Sequence, residues 1–453
     1  MSRLIVSVSG VRGIVGETLT SEVAREFGRA FATMLGEGKT VIIGRDTRSS
    51  GEMIRDAVMA GLNAGGVNAV DLGIVSTPGV ALMVGRLKAD GGIVITASHN
   101  PLPYNGIKFL TPQGLALSVD KDKAAQLNSA WENKKFSTAA RKGNVTINHD
   151  THRIHIQAVC DILDVEAIRA RHYKVVLDSI NGAGVEAGKM LLDRLGCELV
   201  HINNKLDGDF THEPEPIAKN LTGLCDAVRQ HGADIGFAQD PDADRLVVVD
   251  ENGTFIGEEY TLALTAQFIL GQRRGNLATN LCTSRMIDDV AEQAGVKVFR
   301  SPTGEANVAS AMVEHKCIFG GEGNGGAMDP RVVIVRDSFV GMGLLLNHLA
   351  RSGKTVSQLV AGIPRYELLK DKFPCPLGAA QRAIAAVAAA YKGRAGASFD
   401  DRDGLRIDLP QGWLQIRASN TEPIMRISAE AKTLKEAQAM AQEVRKIADA
   451  NLG

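Results

Sequence analysis

Several features that would place this chain in a familiar class are missing from it. Its 453 residues carry a formal net charge of −1 at pH 7, so no global field points to nucleic acid or an anionic membrane. The six cysteines are scattered without a CxxC pair, which argues against a disulfide framework or a structural zinc site. No apolar run reaches membrane-spanning length, and the apolar core at residues 4–8 is too short for a signal peptide. We therefore expect a soluble cytoplasmic protein with neither a nucleic-acid nor a membrane partner.

The chain is long enough for several domains, because it is about three times the length of a typical one. Short apolar strands alternate with amphipathic helices, beginning with a helix after Thr20, and this alternation is typical of a mixed, largely parallel α/β domain. The polar stretch at residues 121–148 predicts a surface helix or a linker. Two further units follow the same plan, each with a hydrophobic strand that leads into a glycine- or aspartate-rich tip, which indicates a diverged internal repeat.

The last segment differs, since its pattern predicts a hairpin, a further strand and an amphipathic helix. The predicted fold class is therefore α/β, with three similar mixed α/β domains and a carboxy-terminal α+β domain. The predicted domains are residues 1–150, 151–253, 254–365 and 366–453.

The most informative stretch is TASHNPLPYNGIKF at residues 96–109. It follows a predicted strand at residues 91–95, and the carboxyl ends of strands are where open α/β sheets place their chemistry. The stretch offers a hydroxyl, an imidazole, an amide and an ammonium group, from Ser98, His99, Asn100 and Lys108. Taken alone, such a segment is more often an ordinary turn than a reactive site, because Ser and Asn are common turn residues.

A second candidate loop, DPDADR, follows the predicted strand at residues 234–238. Its carboxylates alternate, so an extended loop would point Asp240, Asp242 and Asp244 the same way. Crowded carboxylates repel one another unless a cation lies between them, and oxygen ligands suit magnesium; the alternative is a solvated acidic turn. The spacing excludes an EF-hand, and Arg245 adds a cation suited to a phosphate oxygen.

Two more loops complete the set. RASNTEP at residues 417–423, with Arg426 beyond it, combines groups that can donate several hydrogen bonds to one phosphate dianion; the alternative is a capped turn. GEGNGG at residues 321–326 lacks the lysine of a P-loop, but Glu322 and Asn324 are placed to bind vicinal hydroxyls. A nucleophile, a metal cage, a hydroxyl-binding loop and a phosphate clamp together describe phosphoryl transfer on a phosphosugar.

On these four motifs the sequence resembles the α-D-phosphohexomutase family, which includes phosphoglucomutase, phosphomannomutase and phosphoglucosamine mutase. The similarity covers essentially the whole chain. TASHNPLPYNGIKF resembles the family's phosphoserine loop, DPDADR its metal loop and RASNTEP its phosphate-binding loop, while GEGNGG stands where its sugar-specificity loop stands. The resemblance implies four domains around a deep cleft, a phosphorylated serine, one Mg²⁺ ion, and a hexose 1,6-bisphosphate that serves as intermediate and activator.

The resemblance also implies roles for single residues. Five would form the catalytic set, with Ser98 as phosphoryl carrier: Ser98, His99, Lys108, Arg12 and Arg245. The metal ligands would be Ser98, Asp240, Asp242 and Asp244. The remaining residues would bind sugar hydroxyls or the phosphate that is not reacting: Thr303, Gly304, Glu322, Asn324, Arg417, Ser419, Asn420, Thr421 and Arg426.

The sugar loop departs from the form common in bacterial members, which have a serine and a closing histidine where this chain has Asn324 and Gly326. No role of that histidine transfers to this chain. The GEGNGG form and the opening LIVSVSGVRGIVGE resemble archaeal-type phosphoglucosamine or phosphomannose mutases.

We therefore expect a phosphohexomutase whose small-molecule partner is a phosphosugar. Phosphoglucosamine mutase is the first expectation, and phosphomannomutase or phosphoglucomutase is the alternative. A phosphosugar phosphatase and a non-catalytic phosphosugar-binding protein are further alternatives. The chain is expected to be a monomer or a homodimer.

Overall fold

The computed structural model describes residues 4–7, 10–376, 378–419 and 423–452. These residues form four units, built on sheets of seven, four, four and five strands. Within the described ranges, no helix is long and apolar enough to cross a membrane.

The first unit is a mixed α/β layer structure. Its strands are β1 (Ile5–Ser7), β2 (Gly10–Ile14), β3 (Thr40–Arg45), β4 (Asn68–Ile74), β5 (Gly91–Ile95), β6 (Tyr104–Leu110) and β7 (Val145–Ile147). Its helices are α1 (Ser21–Leu35), α2 (Gly51–Ala64), α3 (Thr77–Arg86) and α4 (Lys121–Glu132), with a 3₁₀ turn at Leu117–Val119. The strand order is β1-β2-β6-β5-β3-β4-β7.

The Thr20 side chain accepts from the Val23 N–H and caps α1, as predicted. The polar stretch at residues 121–148 supplies α4 and the edge strand β7, which pairs with β4, so it is more than a linker.

The second and third units are smaller. The second contains β8 (Lys174–Asp178), β9 (Glu198–Ile202), β10 (Ile235–Gln239), β11 (Leu246–Val249), α5 (Thr151–Cys160), α6 (Val165–Arg169), α7 (Val185–Arg194), the 3₁₀ turn Ala218–Asn220 and α8 (Thr222–His231). The third contains β12 (Leu277–Asn280), β13 (Val298–Ser301), β14 (Phe319–Glu322), β15 (Gly326–Met328), α9 (Glu259–Gln272), α10 (Met286–Gln293), α11 (Glu305–Glu314), α12 (Ser338–Ser352) and α13 (Val356–Val360). Their orders are β11-β10-β8-β9 and β13-β12-β14-β15.

One four-strand arrangement recurs in these three units. The rows β4-β3-β5-β6, β9-β8-β10-β11 and β13-β12-β14-β15 each have three parallel strands followed by one antiparallel strand. In every row a short loop joins the last two strands, at residues 96–103, 240–245 and 323–325. The three candidate loops of these units are therefore equivalent by topology, which agrees with the internal repeat expected from the sequence.

The fourth unit is an antiparallel sheet with two helices. Its elements are β16 (Glu367–Pro374), α14 (Ala380–Tyr391), β17 (Ser398–Asp400), β18 (Leu405–Leu409), β19 (Gly412–Ala418), β20 (Ile424–Ala431) and α15 (Leu434–Asp449). The order is β16-β20-β19-β18-β17. A reciprocal capping box between Thr433 and Glu436 begins α15.

The hydrophobic clusters show which of the four units pack against one another. One continuous cluster joins the second and third units to one face of the first sheet, with Phe237, Phe339 and Val94 among its members. The fourth unit has its own cluster around residues such as Tyr391 and Ile427. The first three units therefore share a core and the fourth packs separately. The predicted fold class, three similar mixed α/β units and a carboxy-terminal α+β unit, is confirmed.

Candidate active site

Ser98 lies in the loop between β5 and β6. Its backbone has a φ of 49°, in the left-handed region that residues other than glycine rarely adopt and that costs free energy. The Ser98 N–H donates to Thr96 Oγ1 at 2.8 Å, and the buried Ser98 hydroxyl donates to Asp240 Oδ2 at 2.8 Å. The strained loop thus aims the hydroxyl at the acidic loop of the second unit.

Arg48, which the sequence motifs did not single out, holds the serine loop in place. Its guanidinium donates to four carbonyl oxygens, those of Ser98 at 2.7 Å, Asn100 at 2.6 Å, Pro101 at 3.0 Å and Tyr104 at 2.9 Å. Arg48 Nε donates to Asp46 Oδ2 at 3.1 Å, and both side chains are buried. Because both residues lie within three positions of the end of β3, the strand-end rule that pointed to Ser98 would also have found them.

The three aspartates of the second loop converge. One carboxylate oxygen from each of Asp240, Asp242 and Asp244 lies within 4.8 Å of the others, and all three side chains are buried. The alternation of the aspartates had suggested an extended loop. The loop is instead turned at Ala243, which has a φ of 54°. Asp240 Oδ1 accepts the N–H groups of Asp244 and Arg245, both at 3.1 Å.

Two oxygens of this cluster mark a place for a cation. In the described part of the chain, Oδ1 of Asp242 and Oδ1 of Asp244 are buried without a hydrogen-bond partner. Unpartnered buried carboxylate oxygens beside a third carboxylate are costly unless a cation binds them. An all-oxygen donor set of this kind fits a hard divalent ion, so the residues present could hold a metal.

Lys108 sets the charge on one side of the cluster. Burial and the neighbouring carboxylates of Asp244 and Asp242 raise the pKa of Asp240 well above its ordinary value. Burial acts in the same direction on Asp242, but Lys108 Nζ at 2.7 Å and the Thr77 hydroxyl at 2.5 Å prevail and lower the pKa of Asp242. Burial would lower the pKa of Lys108, yet Asp242 and Asp244 outweigh it and raise that pKa. Lys108 is therefore a fixed cation beside the metal loop.

His99 is close to the serine but carries no charge at neutral pH. Its Nδ1 lies 3.3 Å from Ser98 Oγ. Burial, followed by the charges of Arg245 and Arg12, lowers the pKa of His99 to about 2. Arg12 Nη1 donates to Asn100 Oδ1 at 2.7 Å, while Arg245 Nε is buried and has no hydrogen-bond partner among the described residues. The serine is therefore surrounded by carboxylates, guanidinium groups and a neutral imidazole.

Three of the predicted sugar-binding residues lie together in the third unit. Glu322, at the end of β14, is 4% exposed. Its Oε1 accepts from Asn280 Nδ2 at 2.7 Å and from the N–H of Gly304 at 3.1 Å. Thr303 directly precedes Gly304, which leads into α11. Asn324 follows Glu322 by two residues, in the loop before β15, and its Oδ1 is a buried acceptor for which the described residues provide no donor.

Arg336 joins the sugar loop to the metal loop, and the sequence motifs gave no sign of it. Its three guanidinium nitrogens donate to Asp244 Oδ2 at 2.7 Å, Glu322 Oε2 at 2.9 Å and Glu305 Oε2 at 2.9 Å. Burial alone would raise the pKa of Glu322, but the charge of Arg336 and the hydrogen bond from Asn280 outweigh it and lower that pKa. The partners of Arg336 are distant in sequence, so no local pattern could have revealed the contact.

The predicted phosphate clamp lies in the fourth unit. Arg417 on β19 is the direct cross-strand partner of Arg426 on β20. Two guanidinium groups are thus carried at directly opposite positions on neighbouring strands, and guanidinium groups suit the oxygens of a phosphate dianion. Ser419 follows β19, and its N–H donates to the Ile424 carbonyl at 2.9 Å. Asn420 and Thr421 lie outside the described residues.

The structure thus brings most candidates into one connected site. Ser98, His99, Lys108, Arg12, Arg245 and the three aspartates form one cluster, which Arg336 joins to Glu322. The fourth unit meets the same region where the Thr303 N–H donates to Asp403 Oδ2 at 3.0 Å. Such an arrangement can hold a metal, an activated hydroxyl and a phosphorylated ligand at the same time.

Comparison with known proteins gives matches along the chain. Four family models match in succession, described as phosphoglucomutase/phosphomannomutase alpha/beta/alpha domains I, II and III and the C-terminal domain. They cover residues 3–154, 153–253, 257–366 and 371–447.

Individual proteins match over nearly the full length. A phosphoglucomutase/phosphomannomutase of Thermococcus kodakarensis is 41% identical over 436 residues, which cover 95% of each chain. A probable phosphoglucosamine mutase of Methanopyrus kandleri is 36% identical over 437 residues, which cover 96% of this chain and 95% of that protein. The crystal structure of a phosphoglucomutase/phosphomannomutase family protein from Burkholderia thailandensis has a TM-score of 0.85 at 28% identity, covering 99% of this chain and 98% of the other. As the motifs predicted, the chain belongs to the phosphoglucomutase/phosphomannomutase family and is a phosphohexomutase, an isomerase-type phosphotransferase.

Proposed function

We propose that this enzyme interconverts hexose 6-phosphates and hexose 1-phosphates, with Ser98 as the carrier of the phosphoryl group. Phospho-Ser98 donates its group to the free hydroxyl of the substrate, which gives a hexose 1,6-bisphosphate; the other phosphate then returns to Ser98. The same bisphosphate activates the enzyme by phosphorylating a free Ser98. The observation that carries the proposal is the 2.8 Å contact between the Ser98 hydroxyl and Asp240, inside the cluster of three buried aspartates.

We infer that the resident metal is Mg²⁺, held by Asp240, Asp242, Asp244 and an oxygen on Ser98. The unpartnered oxygens of Asp242 and Asp244 support this assignment. When bound, Mg²⁺ would neutralise negative charge on the transferring phosphoryl group.

The remaining groups near Ser98 position the reactants and balance charge, which is what phosphoryl transfer mostly requires. Lys108 is kept protonated by its aspartate partners and stabilises charge on the transferring oxygens. Arg12 and Arg245 add fixed positive charge. His99, being neutral, orients a hydroxyl by hydrogen bonding rather than by charge.

The distal phosphate needs a second holding point, because one phosphate must stay bound while the other reacts. We assign this role to Arg417, Ser419 and Arg426, together with Asn420 and Thr421 on the same loop; the cross-strand pairing of Arg417 with Arg426, which brings two guanidinium groups to neighbouring positions, supports it. The sugar hydroxyls would meet Thr303, Gly304, Glu322 and Asn324.

For the sugar itself we propose glucosamine phosphates first. The name of the Methanopyrus kandleri relative supports this choice. Glucose and mannose phosphates are the second candidates, since the Thermococcus kodakarensis relative at 41% identity is named for both. A side-by-side assay of the three 6-phosphates, with Mg²⁺ and the matching 1,6-bisphosphate, ranks them by kcat/KM.

Ser98→Ala tests the reaction. This variant should lose mutase turnover by at least about a thousandfold, because the covalent step no longer has a carrier, while phosphosugar binding measured by calorimetry persists. Ser310→Ala is the matched control, since Ser310 is exposed on α11 and donates only to its own helix at Ala306.

Two outcomes would contradict the proposal. Near-normal mutase activity in Ser98→Ala removes the serine from the mechanism. Release of inorganic phosphate in step with substrate loss, with no need for the bisphosphate, indicates a phosphatase instead.

A further inference from the structure

The identity of residue 326 is explained by a side chain elsewhere in the third unit. A Cβ at Gly326 would lie 2.2 Å from Cδ and 2.6 Å from Cγ of Arg336, which is closer than non-bonded carbon atoms can approach each other. The next neighbour, Asn324 Oδ1, would be at 3.2 Å. Gly326 does not have a left-handed φ, so its backbone conformation would accept other residues. The aliphatic part of Arg336 therefore occupies the space that a side chain at position 326 would need.

From the space beside Gly326, the side chain of Arg336 contacts three separate segments. It donates to Asp244 of the metal loop, to Glu322 of the sugar loop and to Glu305 at the start of α11. Its side chain is 11% exposed, and those of Asp244 and Glu322 are 0% and 5% exposed. A planar guanidinium spreads five donors over three nitrogens and so reaches carboxylates on three separate segments, whereas lysine presents its three donors from a single nitrogen.

The backbone of Arg336 is fixed by its neighbour. Asp337 caps α12 by accepting the N–H groups of Phe339 at 2.9 Å and Val340 at 3.3 Å. The other carboxylate oxygen of Asp337 lies 2.6 Å from Nε2 of the buried His155 on α5. The Asp337 N–H donates to the Ala327 carbonyl at 2.8 Å. The guanidinium is therefore held by a capped helix end that is bonded to both the second and the third units.

We propose that Arg336 is a positioning residue that sets Glu322 for the sugar and Asp244 for the metal at the same time, and that Gly326 is required to admit it. The inference rests on the proposed function, because it assigns to Arg336 the support of two groups used in that reaction. Since one cation connects both loops, sugar binding and metal binding change together when it is altered.

Arg336→Lys and Arg336→Gln test the coupling. The KM for the phosphosugar and the dissociation constant for Mg²⁺, measured by calorimetry on the protein without sugar, should both rise on the order of tenfold or more. The effect on kcat should be smaller than the combined effect on these two constants. Arg336→Lys keeps a positive charge at the site and guards against simple misfolding, which the melting temperature reports.

Arg331→Gln is the matched control. Arg331 lies in the same connecting segment, but its hydrogen bonds and its ion pair at 2.6 Å go to the buried Asp329, which is not a proposed site residue. It should leave both constants unchanged. If Arg336→Lys and Arg336→Gln change only one constant, or neither by more than Arg331→Gln does, the coupling role is wrong.

A double-mutant cycle tests the part played by Gly326. Gly326→Ala in the wild type should weaken both Mg²⁺ and sugar binding, because it displaces Arg336. In an Arg336→Ala background the same change should add little, since the clash is gone. Additive effects would overturn the link between the two residues. The calorimetric Mg²⁺ constants report on Arg336 even if no hexose phosphate is turned over, whereas that lack of turnover alone would reject the proposed function.

Discussion

Glu259 shows, at the scale of one residue, how an acid is accommodated behind the sugar loop. Its Oε2 accepts the N–H of Ser284 at 3.0 Å, and its carboxyl group lies directly against Gly323. Burial, opposed in part by Lys370, raises the pKa of Glu259 to about 8. At neutral pH the side chain is therefore protonated and packs against the loop without a charge.

The raised pKa of Glu259 predicts a pH dependence of stability. Between the ordinary value of 4.5 and about 8, the folded state binds more protons than the unfolded state, so stability falls as pH rises through that window. The fall has an upper limit of about 1.4 kcal/mol per pH unit from this group. Glu259→Gln cannot titrate and should flatten the decline in melting temperature between about pH 5 and 8. Glu314→Gln, an exposed acid on α11, is the control; equal slopes in wild type and Glu259→Gln would reject the idea.

Residues differ in how far the sequence could identify them. Ser98 and the three aspartates were predictable because each follows an apolar strand, and strand ends collect at one edge of a sheet. Arg336 and Thr77 were not, since their contacts with Asp244 and Asp242 span 92 and 165 residues. Such contacts depend on how the units pack, which local patterns do not encode.

At the scale of elements, one loop type is used three times. The loops after β5, β10 and β14 each contain one residue with a left-handed backbone: Ser98 at 49°, Ala243 at 54° and Gly325 at 86°. In the first loop the left-handed residue is itself the proposed phosphoryl carrier. The shared geometry places a hydroxyl, three carboxylates and the loop at residues 322–326 at equivalent positions of one repeated unit.

Gly325→Ala should disturb both the second and the third of these loops. A Cβ at Gly325 would meet the Leu246 carbonyl oxygen at 2.3 Å, and the φ of 86° disfavours alanine. The Leu246 N–H also donates to the Gly325 carbonyl at 2.9 Å. We expect a loss of roughly 2 kcal/mol or more, seen as a lower melting temperature and a higher KM.

Gly271→Ala is the control for this change. Gly271 lies in α9 with nothing within 4 Å of its Cβ position, so alanine should be neutral or stabilise by about 0.5–1 kcal/mol. A Gly325→Ala protein that melts and binds like wild type would show that the contact between the two loops is not needed.

Most elements were predictable, and the exceptions have physical causes. The helix after Thr20, the strand at residues 91–95 and the carboxy-terminal hairpin follow from periodicity and capping. Strand β16 was missed because its sequence, ELLKDKFP, is largely polar at an edge of the sheet. Its identity as a strand comes from eight paired positions with β20, a tertiary contact rather than a local preference.

At the scale of the whole molecule, polar groups join the fourth unit to the third. Glu430 Oε1 accepts from the Arg285 N–H at 3.0 Å and from Trp413 Nε1 at 2.7 Å. Arg406 stacks on the Trp413 ring at 4.1 Å and donates to the Leu281 carbonyl. The bonds from Arg285 to Glu430 and from Arg406 to Leu281 cross between units whose hydrophobic cores are separate, and Trp413 holds Glu430 and Arg406 in place from within the fourth unit.

Glu430→Ala should loosen this junction. Removing the carboxylate leaves the buried Trp413 indole N–H and the half-buried Arg285 N–H without their acceptor, and the buried donor alone costs about 1–3 kcal/mol. We expect a larger radius of gyration by solution scattering and a several-fold higher KM for the phosphosugar. Glu443→Gln, in an ion pair with Arg394 within the fourth unit, should change neither quantity, and the same result for Glu430→Ala would contradict the role of this contact.

The four hydrogen bonds from Arg48 to backbone carbonyl oxygens bear on which part of the enzyme moves during the proposed reaction. Those bonds, at 2.6 to 3.0 Å, and the bond from the Ser98 N–H to Thr96 hold the Ser98 loop in place, so we expect that this loop does not move to reach both ends of a hexose. In the proposed cycle, the bound sugar would therefore turn end over end in front of the serine. The site would then have to open enough for the proposed bisphosphate to rotate without escaping. The fourth unit shares no hydrophobic core with the other three, so we expect it to be the part of the molecule that moves away to make room for that rotation.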